Sequence, residues 1–221
     1  MKFKVVEKFV SVNGEGKRAG QLAVFIRFAG CNLECSYCDT KWANDKEVKF
    51  ELLSADEVYN YIKSTGIKNV TLTGGEPLFQ KNIKELLEKL CYDKNLNIEI
   101  ETNGSINLKE FISIVNRPSF TMDYKCPSSN MEEKMCLSNF EYLDKKDTVK
   151  FVVGNIKDLN KVKNIINKYK LIEKTSTYIS PVFGSINLES IINFMKENKM
   201  NGVNFQIQLH KVIWNPDKRG V

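Results

Sequence analysis

The chain has 221 residues, 42% hydrophobic and 27% charged, with a net charge of +6 and a pI near 8.9. That balance suits one domain, 1–221, with a substantial core. It argues against a disordered chain, and no run of about 18 apolar residues offers a membrane span. The charge is mostly Lys scattered among Asn and Glu, with no basic block and no aromatic-interleaved stripe, so no nucleic-acid partner is expected.

In chain order, residues 2–9 read as an opening strand leading to Ser11-Val12-Asn13-Gly14-Glu15-Gly16, a turn in which two glycines flank a carboxylate. Residues 22–28 read as a buried strand, with Arg27 as a charge that needs a partner or an anion. Ser54-Ala-Asp-Glu57 is a capping box, and Val58, Tyr61 and Ile62 form the stripe of the helix that follows. Residues 69–73 form a strand ended by Gly74-Gly75, and 82–90 a helix. Residues 97–101 form an alternating strand closed by Thr102-Asn103-Gly104. A helix is predicted from Asn107 up to Pro118, and a short one within 131–143. Strands at 119–124, 148–153, 177–180 and 203–209 alternate with helices at 158–169 and from Asn187 onward, and 210–221 is an irregular tail. Strand alternating with helix predicts a parallel sheet with right-handed crossovers, whose functional loops lie at the carboxyl ends of the strands.

The chemistry concentrates in Cys31-Asn-Leu-Glu-Cys35-Ser-Tyr-Cys38-Asp39-Thr40, three thiols spaced C-x3-C-x2-C. Thiolates select zinc, cuprous copper or iron–sulfur clusters. No fourth ligand is near, since the next cysteine is Cys91 and the only histidine is His210. A cubane cluster with one open iron fits this set; a zinc knuckle with a distant fourth ligand is the alternative. The opening residues lack the apolar core of a signal peptide, which points to a cytoplasmic protein whose six cysteines stay reduced.

C-x3-C-x2-C followed by Thr73-Gly74-Gly75-Glu76-Pro77 resembles the radical S-adenosylmethionine (SAM) enzymes. Nearly the whole chain is similar to one family among them, the 7-carboxy-7-deazaguanine synthases. The likeness runs through 9–16, Phe25-Ile26-Arg27, Gly30-Cys31, 37–40, 101–104, 123–129, 180–184 and 208–211. It carries Asn13 where the family usually has Gln, and Cys126 where Pro is common.

The resemblance implies an α/β fold, a single-domain partial TIM-like (β/α)6-type barrel open on one side, with 1–20 as N-terminal strand and substrate loop. It implies a [4Fe-4S] cluster on Cys31, Cys35 and Cys38 and a deoxyadenosyl radical made from SAM. The reaction would be ring contraction of 6-carboxy-5,6,7,8-tetrahydropterin to 7-carboxy-7-deazaguanine and ammonia, on the queuosine and 7-deazapurine route. Tyr37, Cys38, Asp39, Gly75, Lys125 and Ser128 would face SAM. Val12, Asn13, Gly14, Arg27 and Thr73 would face the pterin, and Thr40 would hold Mg2+. A reductase such as flavodoxin or ferredoxin and a homodimer are also implied. A glycyl-radical-enzyme activase shares the two motifs, and a non-enzymatic metal-cluster protein shares the first. The Gly-Glu-Gly loop and the Asp39-Thr40 pair argue against the activase.

Overall fold

The structure, a computed structural model, describes residues 1–221. Nine strands form one sheet in the order β3-β1-β2-β4-β5-β6-β7-β8-β9. They are β1 (Lys2–Val12), β2 (Leu22–Phe28), β3 (Glu51–Ser54), β4 (Asn69–Gly74), β5 (Asn97–Thr102), β6 (Ser119–Lys125), β7 (Thr148–Val153), β8 (Ser176–Pro181) and β9 (Val203–Phe205). From β2 to β9 every pairing is parallel, whereas β1 runs antiparallel to both β2 and β3. The sheet is open between β3 and β9, as the expected partial barrel requires.

The helices are α1 (Ala55–Ser64), α2 (Ile83–Tyr92), α3 (Ile156–Tyr169), α4 (Leu171–Lys174), α5 (Leu188–Glu197) and α6 (Leu209–Ile213). α1 begins as its sequence predicts: the Ser54 hydroxyl accepts from Glu57 N–H, and the Glu57 carboxylate accepts from Ser54 N–H. The helix predicted after Asn107 is reduced to one 3-10 turn, Leu108–Glu110. Its continuation carries the β-branched Ile112, Ile114 and Val115, and Asn116 adopts a left-handed φ of 54°. The predicted helix within 131–143 is likewise two 3-10 pieces, Glu132–Lys134 and Leu137–Glu141. The first strand extends three residues beyond its prediction, to Val12, by pairing with β2. β9 stops at Phe205, and the start of the expected irregular tail is the helical turn α6. No helix is long and apolar enough to cross a membrane.

Strand residues alternate between the two faces. Val24, Ile26, Phe28, Val70, Leu72, Ile98, Ile100, Phe120, Met122, Val149 and Phe151 join the helices in one buried core. Their neighbours Arg27, Thr71, Thr73, Glu99, Glu101, Thr121, Asp123, Lys125 and Lys150 therefore point to the opposite, concave face. That face is polar, and several of its members are buried, including Thr71, Thr73, Glu99 and Lys150. Buried charge needs partners, and those partners define the site.

Candidate active site

Two layers of loop close the concave face from opposite ends. At the carboxyl end of β2 lies the cysteine loop, beside Gly74-Gly75-Glu76 after β4 and Asn103 after β5. At the other end, the loop joining β1 to β2 folds under the strands. Gly16 there packs beside Glu99 and Thr121, and Arg18 pairs with Glu99 at 3.4 Å. The open side is spanned by the segment after β9. Gly16 N–H donates to Gln206 Oε1 at 2.7 Å, Gln206 Nε2 to the Gly16 carbonyl at 3.3 Å, and Leu209 N–H to the Gly14 carbonyl at 3.1 Å. Further up, Lys211 Nζ lies 2.9 Å from Asp39. The tail thus ties the floor loop to the cysteine loop.

Cys31, Cys35 and Cys38 are free thiols, Cys35 buried and the others half-buried. Cys38 N–H donates to the Cys35 carbonyl at 3.2 Å, a turn that brings the two residues together. Cys31 Sγ accepts from Leu33 N–H at 3.4 Å and from Asn103 Nδ2 at 3.5 Å. Burial pushes the Cys31 and Cys35 thiols up, opposed for Cys31 by the Leu33 and Asn103 donors and for Cys35 by Lys125. No three His, Cys, Asp or Glu side chains converge tightly enough to hold one metal ion. Three such thiols suit separate irons of a cluster better than a single zinc, so the residues fit the group the spacing implies.

Lys125 and Tyr37 lie beside this loop. Lys125 is no surface lysine: its side chain is 12% exposed and its Nζ lies 3.0 Å from Asp123. Burial alone would lower its pKa, but Asp123, Cys35 and Tyr37 raise it. Tyr37 is pushed up by burial, and its hydroxyl reaches the Val152 carbonyl at 3.5 Å. Burial works against the charge of Asp39, yet Lys211 and the Thr40 hydroxyl hold its carboxyl at about 2. The Thr40 hydroxyl donates to Asp39 Oδ1 at 3.0 Å. Ser128 is already committed, its N–H donating to Asp158 at 3.0 Å and its hydroxyl to the same carboxylate. Gly75 has a packing reason of its own: a Cβ there would lie 2.0 Å from the Gly30 carbonyl oxygen and 2.4 Å from Asn44. Glu76, fully buried, accepts from Thr102 Oγ1, Leu78 N–H and Asn103 N–H. Burial raises its carboxyl to about 7, and those donors limit the rise.

Val12 is engaged in the β1–β2 ladder opposite Leu22. The Asn13 backbone is also spent, its N–H on Gln21 and its carbonyl on Gly20, both at 2.8 Å. Its side chain is the available part: Oδ1 accepts from Thr71 Oγ1 at 2.9 Å, and the buried Nδ2 has no partner. Gly14 is covered by the tail, since a Cβ there would lie 2.3 Å from His210 Nδ1. Burial lowers the His210 pKa, with Glu15 opposing. Arg27 sits opposite Glu7, with Nε 2.9 Å from its carboxylate, which leaves the outer guanidinium nitrogens free. Thr73 is buried on the same face as Glu101, whose carboxyl is raised by desolvation, with Lys150 opposing the rise.

Four members of this site went unassigned in the sequence: Glu15, Glu101, Asp123 and Lys150. Lys150 Nζ bridges Glu15 at 3.0 Å and Asp123 at 3.2 Å, linking floor loop to sheet. Glu15 Oε1 and the Ser180 hydroxyl are buried without partners. The signal was present: each is a polar residue alternating with core residues in a strand, as Arg27 is, or a carboxylate between two glycines.

A parallel sheet with a three-cysteine loop at the end of its first parallel strand, and a Gly-Gly-Glu-Pro turn beside it, defines a class. The radical SAM superfamily pattern matches residues 25–198, and the chain belongs to that superfamily. Across all 221 residues it is 62% identical to a 7-carboxy-7-deazaguanine synthase of Clostridium acetobutylicum, covering the whole of both chains. A synthase of the same name from Chlorobaculum tepidum is 34% identical over 98% of this chain and 96% of its own. The chain is therefore a member of the 7-carboxy-7-deazaguanine synthase family. The crystal structure of QueE from Escherichia coli shares the fold, with a TM-score of 0.75 over 94% of both chains at 19% identity. Superfamily membership implies a [4Fe-4S] cluster and SAM.

Proposed function

We propose that the chain converts 6-carboxy-5,6,7,8-tetrahydropterin to 7-carboxy-7-deazaguanine and ammonia, as a carbon–nitrogen lyase of 7-deazapurine and queuosine synthesis. The observation that carries this reading is the full-length likeness to a synthase of that product. The polar concave face supports it, because its orphaned groups suit a small, hydrogen-bonding heterocycle.

Cys31, Cys35 and Cys38 would hold the cluster, with Tyr37, Asp39, Lys125, Ser128 and the backbone at Gly75 around SAM. When bound, cluster and SAM supply the radical that removes a hydrogen from the substrate. The protein's own residues bind, orient and exclude water. Asn13 Nδ2 and the second oxygen of Glu15 are buried and unpaired, so a heterocycle with ring nitrogens and an amino group satisfies both. Thr73 adds a buried hydroxyl on the same face, while Val12 and Gly14 serve as floor backbone. Lys150 holds Glu15 in place from the sheet side. The same reading includes a cytoplasmic setting, a flavodoxin- or ferredoxin-type reductase and a homodimer.

Arg27 is the group for the substrate carboxylate. Glu7 grips Nε and fixes the plane of the guanidinium, leaving the outer nitrogens to pair with two carboxylate oxygens. Arg27→Lys retains charge and loses the fork. Its KM for the pterin should rise by a factor equivalent to about 1.5–3 kcal/mol, the range for a hydrogen bond to a charged group. SAM binding should be unchanged. Equal KM values for the two proteins would assign Arg27 to Glu7 alone.

Thr40 and Mg2+ belong to the same reading. A hydroxyl is a hard but weak donor, and magnesium keeps several waters unless a substrate oxygen completes its shell. The adjoining Asp39 carboxylate is hydrogen-bonded to Thr40 and paired with Lys211 at 2.9 Å, so a cation held at Thr40 would share that carboxylate with the lysine. Thr40→Val should keep the cluster and SAM binding while losing most of the stimulation of turnover by magnesium. A magnesium titration identical to that of the unaltered enzyme would rule the role out.

A further inference from the structure

The side chain of Asn103 is held in one orientation by its neighbours. Its Oδ1 accepts from Ser105 N–H at 2.9 Å and from the Ser105 hydroxyl at 2.6 Å. A backbone N–H can only donate, so this end of the amide is the oxygen. Nδ2 therefore faces the cysteine loop, donating to Asn32 Oδ1 at 3.0 Å and to Cys31 Sγ at 3.5 Å. Asn32 Nδ2 in turn donates to the Ser105 hydroxyl at 2.8 Å, which closes the ring. The backbone of the same turn hangs from a buried carboxylate, with Asn103 N–H 2.6 Å from Glu76 Oε2. Asn103 is itself 6% exposed. Of the three thiols in the loop, only Cys31 receives N–H donors.

We propose that Asn103 sets the reduction potential of the cluster through its N–H···S bond to Cys31. A donor aimed at a ligand sulfur withdraws negative charge and favours the more reduced, more negative cluster. Glu76 and Ser105 act one step back, by holding the amide in that orientation. The proposal rests on the cluster assignment to Cys31, Cys35 and Cys38, and the iron content of the unaltered, reconstituted protein tests that assignment separately.

The test is an EPR-monitored redox titration of reconstituted protein, with and without SAM. Asn103→Leu removes the donor without adding charge; Asn103→Asp keeps the shape and the acceptor for Ser105. Both should bind iron and titrate at a lower potential, with the reduced-to-oxidised ratio at a fixed poise falling about fivefold, the effect of one net hydrogen bond. Ser105→Ala keeps Asn103 whole but loosens the amide, and should shift the potential in the same direction by less. Iron-replete Asn103→Leu with an unaltered potential overturns the proposal, as does a shift confined to Asn103→Asp, which would report only the added charge. Should both Asn103 variants fail to hold iron, an unaltered potential in Ser105→Ala overturns it instead.

Discussion

Cys31→Ala, Cys35→Ala and Cys38→Ala are each expected to abolish SAM cleavage after anaerobic reconstitution. The loop is short, and its neighbourhood holds no spare donor that could take over. The only histidine, His210, packs against Gly14 in the floor. Cys91 lies in α2 within the core. Cys126 is also in the core, and burial pushes its thiol well above the ordinary range. Cys136 sits beside Ser138, just before the 3-10 segment Leu137–Glu141. Replacing any one of these last three with serine should therefore leave iron content and SAM cleavage intact. Iron quantification and the yield of 5′-deoxyadenosine check both halves. Full activity in a Cys31, Cys35 or Cys38 variant would remove the cluster from this loop. Complete loss of iron in a Cys91, Cys126 or Cys136 variant would call for a four-cysteine site.

Lys150→Met is expected to be the most damaging change outside the loop. Burial alone would lower the pKa of this ammonium, but Asp123, Glu15 and Glu101 raise it well above the ordinary lysine range. Because the folded pKa is raised, its contribution is complete below the unfolded lysine value and is lost only above it, outside any working pH. Removing the side chain leaves Glu15 without its 3.0 Å partner and Asp123 with Lys125 alone. Uncompensated buried charge of this kind costs about 3–5 kcal/mol. The stranded carboxylates should respond by holding protons, which raises their folded pKa. A carboxylate so raised makes the fold less stable as pH climbs from its unfolded to its folded value. Urea unfolding should thus show a deficit for Lys150→Met that is larger at pH 8 than at pH 6. Turnover should fall as well, since Glu15 loses its hold from the sheet and keeps only Gln208 Nε2 at 3.3 Å. A variant as stable as the unaltered protein at both pH values would show that Lys150 is not the centre of this network.

Most of the architecture could be read from local pattern. Strand–helix alternation predicted the parallel order, and the Ser54–Glu57 box placed α1. The two motifs lie at strand carboxyl ends, where a parallel sheet presents its loops. Missing from that reading was what one strand does to the next. Glu99, Glu101, Asp123 and Lys150 each alternate with apolar residues in their strands, and only the sheet register brings them to one face. The tail was illegible for a similar reason. Gln206 and Leu209 find their partners 190 residues or more away, at Gly14 and Gly16, and no local signal encodes such a pairing. The helix predicted after Asn107 is cut to one turn because a start signal at Asn107 and a stop at Pro118 do not outweigh Ile112, Ile114 and Val115, the β-branched residues between them. Asn13 shows both sides. Its substitution for Gln was visible in the sequence, but that its side chain rather than its backbone is the free group required the bonds to Gln21 and Gly20.

The central claim is that this concave face contracts a reduced carboxypterin, and anaerobic turnover tests it most directly. Reconstituted protein with full iron content is incubated with 6-carboxy-5,6,7,8-tetrahydropterin, SAM, magnesium and a low-potential reductant. The account predicts the 7-carboxy-7-deazaguanine chromophore and ammonia in equal amounts, with SAM not consumed in step with product. SAM cleavage to 5′-deoxyadenosine without any deazaguanine, in protein that binds its full cluster, would contradict it.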